Sequence, residues 1–235
     1  MSKSYSEQFV LSALLEKSEN MQDFYKQGFV NYKGKTKDTK KFYTEVIAEW
    51  LLDRRLDLLE QIPTITRENT YKIPSHNGVQ SNGTSNRREE IIAKEMFLQK
   101  ELAILGNVLD YQTPLKNKRS DCSGKIDLLS YDGKTLRLLE LKKPEIKKNE
   151  KKETMLRCVL EGYTYLKNVD TKKLLKDFDL PSTTKIFASP LVPFNGSQHI
   201  ELIEGRPYLM QLMKKLHVDP YYFSISNGKY IITAE

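Results

Sequence analysis

The segment from residue 124 to residue 142 constrains the fold of this chain more than any other. Two short apolar runs within it are joined by Asp132 and Gly133. An Asp-Gly pair in this setting favours a two-residue turn, because both central positions of a type I′ turn need a positive φ. The segment therefore predicts a β-hairpin in which Tyr131 faces Lys134.

The register of this hairpin brings three charged side chains to one face. Asp127 is then expected opposite Leu138, and residues two apart along a strand share a face. Glu140 and Lys142 should therefore project from the same side as Asp127. Asp127 and Glu140 would be diagonal neighbours, about 7 Å apart at the backbone. Both carboxylates could then reach one hydrated cation, so the hairpin predicts a metal site.

These residues resemble the signature of the PD-(D/E)XK nuclease superfamily, the restriction-endonuclease-like enzymes. The resemblance consists of Asp127, a short hairpin and then Glu140-Leu141-Lys142, with Ile126 in place of the Pro. The core of that superfamily has the order α-β-β-β-α-β, with the Asp on the second strand and the (D/E)-x-K on the third. The resemblance covers residues 86–193, about half of the chain.

The resemblance implies a metal-dependent chemistry for these residues. Asp127, Glu140 and the backbone carbonyl of Leu141 would bind Mg²⁺, a hard cation that prefers oxygen ligands, and Mn²⁺ is expected to substitute. Lys142 would position the attacking water and offset negative charge in the transition state. The alternative is a solvent-facing strand in which Glu140 and Lys142 only balance charge. The surrounding leucines instead favour a buried sheet, where carboxylates need a partner.

A helix predicted from about Arg87 to Leu105 offers a further catalytic acid. Superfamily members often supply a Glu from this helix, and Glu89 fits that position because it falls on the face expected to meet the sheet. Glu95 also points inward, whereas Glu90 lies on the polar arc, so the choice among the three stays open. An acid that only stabilises the helix dipole is the alternative.

A second helix carries Glu161 and Tyr165, one turn apart. The pair resembles a Q-x-x-x-Y motif found near the active site in some branches of the superfamily, with Glu in place of Gln. The resemblance implies that Glu161 supports the metal ligands and that Tyr165 contacts the DNA. Ordinary packing of an amphipathic helix is the alternative, because four-residue motifs are rarely specific.

The charge of the chain favours a polyanionic partner. The net charge is +7 and the pI is about 9.1, which favours phosphate neutralisation, with an ordinary Lys-rich protein as the alternative. The resemblance implies that the partner is DNA. Several lysines follow Lys142, but only Lys142 shares the face of Glu140. The others are expected either to contact the DNA backbone or to be solvated: Lys143, Lys147, Lys148, Lys151 and Lys152.

Other sequence features exclude several classes of protein and site. The two cysteines, Cys122 and Cys158, form no disulfide framework and suit a reducing compartment. No secretion signal and no apolar run of membrane-spanning length is present, so we expect a cytoplasmic protein without a membrane partner. The Gly-Lys-Thr sequences at 34–36 and 133–135 lack the first Gly of a phosphate loop at the required spacing.

We predict an α/β (α+β mixed) fold, with a restriction-endonuclease-like αβββαβ core, a mixed central sheet and a preceding N-terminal helical region. Residues 1–61 would serve substrate recognition or assembly, 62–86 would form a loop or linker, and 87–235 would form the nuclease domain. The apolar face around Trp50 should pack on the core, on neighbouring helices or on a second subunit, so a homodimer is one option.

The predicted elements of the nuclease domain follow the superfamily order. After the first helix and the hairpin strands come a helix from about 150 to 167, a strand at 184–192, a helix at 206–216 and a hairpin that turns at Asn227 and Gly228. The hairpin is antiparallel and the long helix permits a parallel crossover, so the sheet should be mixed.

The sequence thus predicts a Mg²⁺-dependent endonuclease or exonuclease. A second hypothesis keeps the fold as a DNA-binding or protein-interaction module that has lost cleavage. A third, an α/β phosphotransfer or nucleotide-binding enzyme, is disfavoured by the absent phosphate loop. The sequence leaves open the preference for DNA or RNA, the site specificity and the oligomeric state.

Overall fold

A seven-stranded mixed sheet forms the centre of the protein. The computed structural model describes residues 4–76, 87–117, 124–145 and 153–234. Within these ranges, helices cover both faces of the sheet. The α/β class predicted from the sequence is therefore confirmed. In the described part of the chain, no helix has both the length and the apolar character needed to cross a membrane.

The secondary-structure elements fall into an N-terminal helical group and a sheet-forming remainder. The helices are α1 (Glu7–Lys17), α2 (Tyr43–Arg54), α3 (Leu56–Glu60), α4 (Arg88–Gln99), α5 (Met155–Asn168), α6 (Thr171–Asp177), α7 (Ser197–Ile203) and α8 (Pro207–Leu216). The strands are β1 (Glu101–Leu102), β2 (Gly106–Pro114), β3 (Lys125–Tyr131), β4 (Thr135–Leu141), β5 (Lys185–Pro193), β6 (Tyr221–Ser226) and β7 (Lys229–Thr233). Short 3-10 helices span Met21–Lys26, Gly28–Asn31 and Pro74–His76.

The strands lie in the sheet in the order in which they occur along the chain. Strands β1 to β4 pair antiparallel, whereas β4 pairs parallel with β5, and β5 pairs parallel with β6. The parallel step from β4 to β5 needs a crossover, which α5 provides. The elements from α4 to β5 follow the predicted order α-β-β-β-α-β apart from two additions, the two-residue strand β1 and helix α6.

Several element boundaries differ from the predictions. Helix α4 ends at Gln99 rather than near residue 105, because Lys100 turns the backbone to a φ of 71° and the chain enters β1. In the N-terminal helical region, α2 and α3 are separated at Arg55, whose φ of −142° is not helical. Helices α6 and α7 were not predicted. The side chain of Asp170 accepts a hydrogen bond from the Lys173 amide and so caps α6.

The two faces of the sheet are covered by different helices. Alternate side chains of a strand point to opposite faces, and the central strands follow this rule. Leu129 and Leu138 belong to the cluster that contains α5, whereas Leu128 and Leu139 belong to the cluster that contains α4. The central strands are therefore buried on both faces, as the apolar runs predicted.

The N-terminal helices pack against the α5 side of the sheet. Phe24 and Trp50 stack with ring centroids 6.2 Å apart and share one hydrophobic cluster with α5. Thr154, the N-cap of α5, donates its hydroxyl to the Val30 carbonyl and its amide to the Asn31 side chain, both at 2.8 Å. Of the three predicted packing partners, the structure shows two, the core of the same chain and the neighbouring N-terminal helices.

Residues 62–76 follow the N-terminal helical region and are held by hydrogen bonds and by burial. Apart from the 3-10 turn at its end this stretch has no helix or strand, as expected for a loop. The Ile65 amide donates to the Asn168 carbonyl at 2.7 Å, and the Tyr71 ring is fully buried. This part of the loop is therefore built into the structure. Residues 77–86 lie outside the described residues.

Candidate active site

The hairpin that carries the candidate site has a different turn from the predicted one. Tyr131 pairs with Leu136, not with Lys134. The Asp132 carboxylate accepts hydrogen bonds from the amides of Lys134 and Thr135 at 2.9 and 2.8 Å, an Asx-type turn. Of the two predicted turn residues only Gly133 has a positive φ. The predicted two-residue type I′ turn is wrong, because the Asp side chain stabilises a longer loop.

The longer loop moves the register by two residues. A shift of two preserves which face each side chain occupies, whereas a shift of one would reverse it. Leu128 pairs with Leu139, and this register continued by one residue sets Asp127 directly opposite Glu140. The two acids are therefore closer partners than the diagonal pair that was predicted, since directly opposed Cβ atoms lie about 5 Å apart.

The Asp127 carboxylate is held from two neighbouring strands. One oxygen accepts a hydrogen bond from the Leu141 amide of β4 at 2.9 Å, and the other accepts one from the Gln112 side chain of β2 at 2.8 Å. Burial raises the pKa of Asp127 to about 7, although the charge of Lys142 acts in the opposite direction, and Glu89 adds to the rise. The side chain retains some contact with solvent.

The Glu140 side chain is buried and only half satisfied. Its Oε1 atom accepts a hydrogen bond from the Lys142 ammonium at 2.7 Å. Its Oε2 atom is also buried but has no hydrogen-bond partner among the described residues. Burial, together with the charge of Glu161, raises the pKa of Glu140 well above its ordinary range. A buried oxygen without a partner is costly, and a cation would satisfy it.

Lys142 lies at the centre of three carboxylates. Its Nζ atom is 2.7 Å from Glu140 Oε1, 2.6 Å from Glu153 Oε2 and 3.5 Å from Glu161 Oε2. Burial alone would lower the pKa of Lys142, but the carboxylates, Glu140 foremost, outweigh it and raise that pKa well above its usual value. Lys142 is therefore charged in spite of its burial.

One face of α5, together with Glu153 two residues before its start, supplies the rest of the site. Arg157 Nε lies 3.0 Å from Glu153 Oε1 and 3.7 Å from Glu161 Oε2, and Tyr165 donates its hydroxyl to Glu161 Oε1 at 3.0 Å. Four carboxyl groups thus meet two cationic side chains. We refer to the following six residues as the carboxylate cluster: Asp127, Glu140, Lys142, Glu153, Arg157 and Glu161.

Tyr165 occupies the protein interior, on the far side of Glu161 from Lys142. Its hydroxyl lies 3.5 Å from that of Tyr25, which comes from the N-terminal 3-10 helix, and the two rings meet edge to face. Gly124 leaves room for this phenol, since a Cβ there would lie 2.1 Å from the Tyr165 oxygen. In this arrangement Tyr165 holds Glu161, and the contact with DNA that the resemblance implied stays a prediction.

The three candidate acids of α4 have different surroundings. The charge of Glu89 acts on Asp127 and raises its pKa. Glu95 instead accepts a hydrogen bond from the Tyr230 hydroxyl, and the charge of Glu90 acts on Tyr111. Among the three, Glu89 is therefore the α4 acid whose charge acts on Asp127.

The lysines that follow the site are described only in part. Lys143 lies just after β4 and is half-buried. The remaining four fall outside the described residues: Lys147, Lys148, Lys151 and Lys152. Their expected contact with a DNA backbone stays a prediction.

Four residues of the site were missed by the sequence interpretation: Tyr25, Gln112, Glu153 and Arg157. For two of them a signal was present. Glu153, Arg157, Glu161 and Tyr165 recur at intervals of four, and residues with this spacing are neighbours on a helix. Tyr25 and Gln112 belong to other elements, so only the tertiary fold brings them to the site.

The donor set fits a cation that retains most of its water. Within the described ranges, no three His, Cys, Asp or Glu side chains form a ready-made metal site. Two facing carboxylates and one backbone carbonyl, that of Leu141, are nevertheless sufficient for Mg²⁺, which commonly binds through one or two carboxylates plus water. The cluster carries two negative charges in excess when fully ionised, and the partnerless oxygen of Glu140 belongs to it.

Comparison with known proteins identifies no relative. The chain matches no protein-family model, no curated protein and no solved structure. The function is therefore inferred from the geometry and charge of the carboxylate cluster.

Proposed function

We propose that this protein is a divalent-metal-dependent nuclease of the PD-(D/E)XK type that hydrolyses phosphodiester bonds in DNA. One observation carries the proposal. Asp127 and Glu140 lie on one face of adjacent antiparallel strands, one residue beyond the last paired residues Leu128 and Leu139, and Lys142, two residues beyond Glu140, is ion-paired in the same cluster. Folding alone does not require two acids and a lysine to be buried together at the end of a hairpin, because each costs free energy to desolvate.

The metal ligands in this proposal are Asp127, Glu140 and the backbone carbonyl of Leu141. Mg²⁺ is the expected ion and Mn²⁺ should substitute for it. When bound, the ion would polarise a phosphate oxygen and lower the pKa of the attacking water. Two features support this ligand set: the buried Glu140 oxygen without a partner, and the negative charge in excess over Lys142 and Arg157.

Lys142 is proposed to orient the attacking water and to offset negative charge that develops on the phosphate. Its ammonium is charged and is held by Glu140, Glu153 and Glu161. Tyr165 and Arg157 hold Glu161 in turn, and Glu89 is proposed to assist from α4. Lys142 is thus fixed beside the place where the nucleophile would lie.

DNA is the proposed substrate because of two charges, the net charge of the whole chain and the local charge of the carboxylate cluster. The chain as a whole carries a net charge of +7, which favours association with a polyanion. The carboxylate cluster itself is acidic, so a phosphate can approach it only when a cation neutralises the carboxylates. The reducing cytoplasm is the proposed compartment, in keeping with the free thiol of Cys158.

The test is cleavage by the purified full-length protein. Plasmid DNA, linear DNA and RNA of matched length would be incubated with Mg²⁺, with Mn²⁺ or with EDTA. We expect cleavage with either metal and none with EDTA. Asp127→Asn and Glu140→Gln should each abolish it while the protein stays folded, because both remove the charge that holds the ion. Glu101→Gln, at an exposed acid of β1, is the matched control and should cleave normally.

The other possible results of this experiment would each support a different conclusion. Full activity in either site variant would contradict the assignment of ligands. Binding of DNA without cleavage under any metal condition would instead favour a non-cleaving DNA-binding module on the same fold. Cleavage of RNA alone would keep the site and change the substrate.

A further inference from the structure

A glutamine on strand β2 holds the Asp127 carboxylate. Gln112 donates its side-chain amide to Asp127 Oδ1 at 2.8 Å, while the Leu141 amide donates to Oδ2 at 2.9 Å. The carboxylate is therefore fixed through both oxygens. The β2–β3 register, in which Tyr111 pairs with Leu128, places Gln112 directly opposite Asp127 when it is continued by one residue.

The backbone of Gln112 is strained. Its φ is 52°, in the left-handed region that residues other than glycine rarely adopt. Other residues of this chain with positive φ lie where a helix or a turn ends, such as Lys100 after α4 and His217 after α8. Gln112 instead lies within a nine-residue strand, and its neighbours Tyr111 and Thr113 keep their pairing with β3.

Strain of this kind persists where the surroundings hold the residue in place, and such residues cluster at functional sites. A glycine would adopt the same φ without strain, but it would not donate a hydrogen bond to Asp127. A hydrogen bond to one oxygen of a ligating carboxylate fixes the direction of the lone pairs that remain for the metal. The strained position thus carries the side chain that the Asp127 carboxylate needs.

We infer that Gln112 is a positioning residue for the metal site, whose amide orients the Asp127 carboxylate toward a divalent cation shared with Glu140. This inference rests on the proposed function, because it assumes that a cation binds there. Gln112 itself touches neither metal nor substrate. It acts through Asp127, and its effect should therefore fall on metal affinity rather than on the chemical step.

The experiment compares three variants of the full-length protein. Gln112→Gly removes the amide and relieves the strain, whereas Gln112→Met removes the amide and keeps a side chain of similar size at the strained φ. Lys100→Gly is the matched control, because it relieves a positive φ at an exposed position after α4. Mg²⁺ and Mn²⁺ affinities would be measured by calorimetry and by the metal dependence of the melting temperature.

We expect both Gln112 variants to bind Mg²⁺ roughly tenfold to a hundredfold more weakly, the usual loss when a residue that orients a metal ligand is removed. Only Gln112→Gly should also melt at a higher temperature without metal. Lys100→Gly should melt higher and bind metal normally. In cleavage assays, the Mg²⁺ concentration for half-maximal activity should rise in both Gln112 variants, while kcat at saturating Mg²⁺ should remain close to that of wild type.

The outcomes separate this inference from the proposed function. If wild type binds Mg²⁺ and both Gln112 variants bind it equally well, Gln112 has only a structural role and the inference is overturned. A fall in kcat at saturating metal with unchanged metal affinity would overturn it as well. If wild type binds neither Mg²⁺ nor Mn²⁺, the proposed function itself fails, and the inference fails with it.

Discussion

Replacement of Asp127 by Asn should change how the stability of the metal-free protein depends on pH. Burial raises the pKa of Asp127 from an ordinary 3.8 to about 7 in the folded state. Between these two values the folded protein holds a proton that the unfolded chain has lost. By linkage, the free energy of unfolding falls as the pH rises through this window and levels off above about pH 7. Asp127→Asn removes the titrating group and should remove its part of this fall.

The size of the effect follows from the shift. A rise of about three in the pKa of Asp127 corresponds to a change of about 4 kcal/mol in the free energy of unfolding, at about 1.36 kcal/mol for each pKa unit. Asp127 keeps some contact with solvent and interacts with Glu140, so we expect about 1–2 kcal/mol to be observed. In a chain of this size each kcal/mol moves the melting temperature by about 2–4 °C. About two thirds of this loss falls above pH 5, so the metal-free wild type should melt about 1–5 °C lower at pH 8 than at pH 5 through this group.

The assay is thermal unfolding in EDTA and in saturating Mg²⁺ at about pH 5, 6, 7 and 8. In EDTA, the melting temperature of wild type should fall across the series and that of Asp127→Asn should fall by less, because only Glu140 of the pair still titrates there. Mg²⁺ should restore the melting temperature of wild type at high pH, because an ion that binds only the folded state stabilises it. It should leave Asp127→Asn unchanged.

Asp179→Asn is the matched control. Asp179 is an exposed acid with a φ of 57°, which Asn tolerates equally well, and its replacement should leave the pH dependence of wild type intact. A wild-type melting temperature that is level across the window in EDTA would refute the reasoning. The same holds if Asp127→Asn retains the full fall.

Two further predictions concern other parts of the site. Lys142→Met should lower the free energy of unfolding by about 3–5 kcal/mol near neutral pH, because it leaves buried carboxylates without their cation. Denaturant titration should also show that part of this loss is recovered near pH 5, where more of the carboxylates are protonated. An unchanged denaturation midpoint would contradict the ion pairing of Lys142. Gly124→Ala should displace Tyr165 and impair cleavage, since its Cβ would lie 2.1 Å from the phenolic oxygen. The matched change Gly162→Ala meets only ordinary contacts at 3.6 Å, so it should keep activity and raise the melting temperature slightly. Equal activity in the two glycine variants would contradict the prediction for Gly124.

The sequence predicted the face of each acid although it misplaced the turn. Asp132 was expected to adopt a positive φ, but its side chain accepts two backbone amides and lengthens the loop. The predicted register was wrong by two residues, an even number, so the prediction that Asp127 and Glu140 share a face of the sheet still holds. At Asn227 and Gly228 no such capping intervenes, both residues have positive φ, and the predicted two-residue turn is confirmed.

The surroundings of the site could be predicted only where they lie on one element. The four-residue spacing on α5 shows in the sequence which side chains are neighbours there. Gln112 could not be found in this way, because its position depends on the pairing of β2 with β3 and on a backbone conformation that Gln does not favour. Tyr25 could not be found either, since the contact depends on how a 3-10 helix packs against α5.

The contact between Tyr25 and Tyr165 joins residues 140 positions apart in the chain. Contacts between such distant residues form late, because a long loop must be closed before they stabilise anything. The N-terminal segment is synthesised before α5, so Tyr25 cannot contact Tyr165 until the rest of the chain has been made. Until the N-terminal segment has docked on α5, Tyr165 lacks its contact with Tyr25, and Glu161 is held by a tyrosine that is itself not yet fixed.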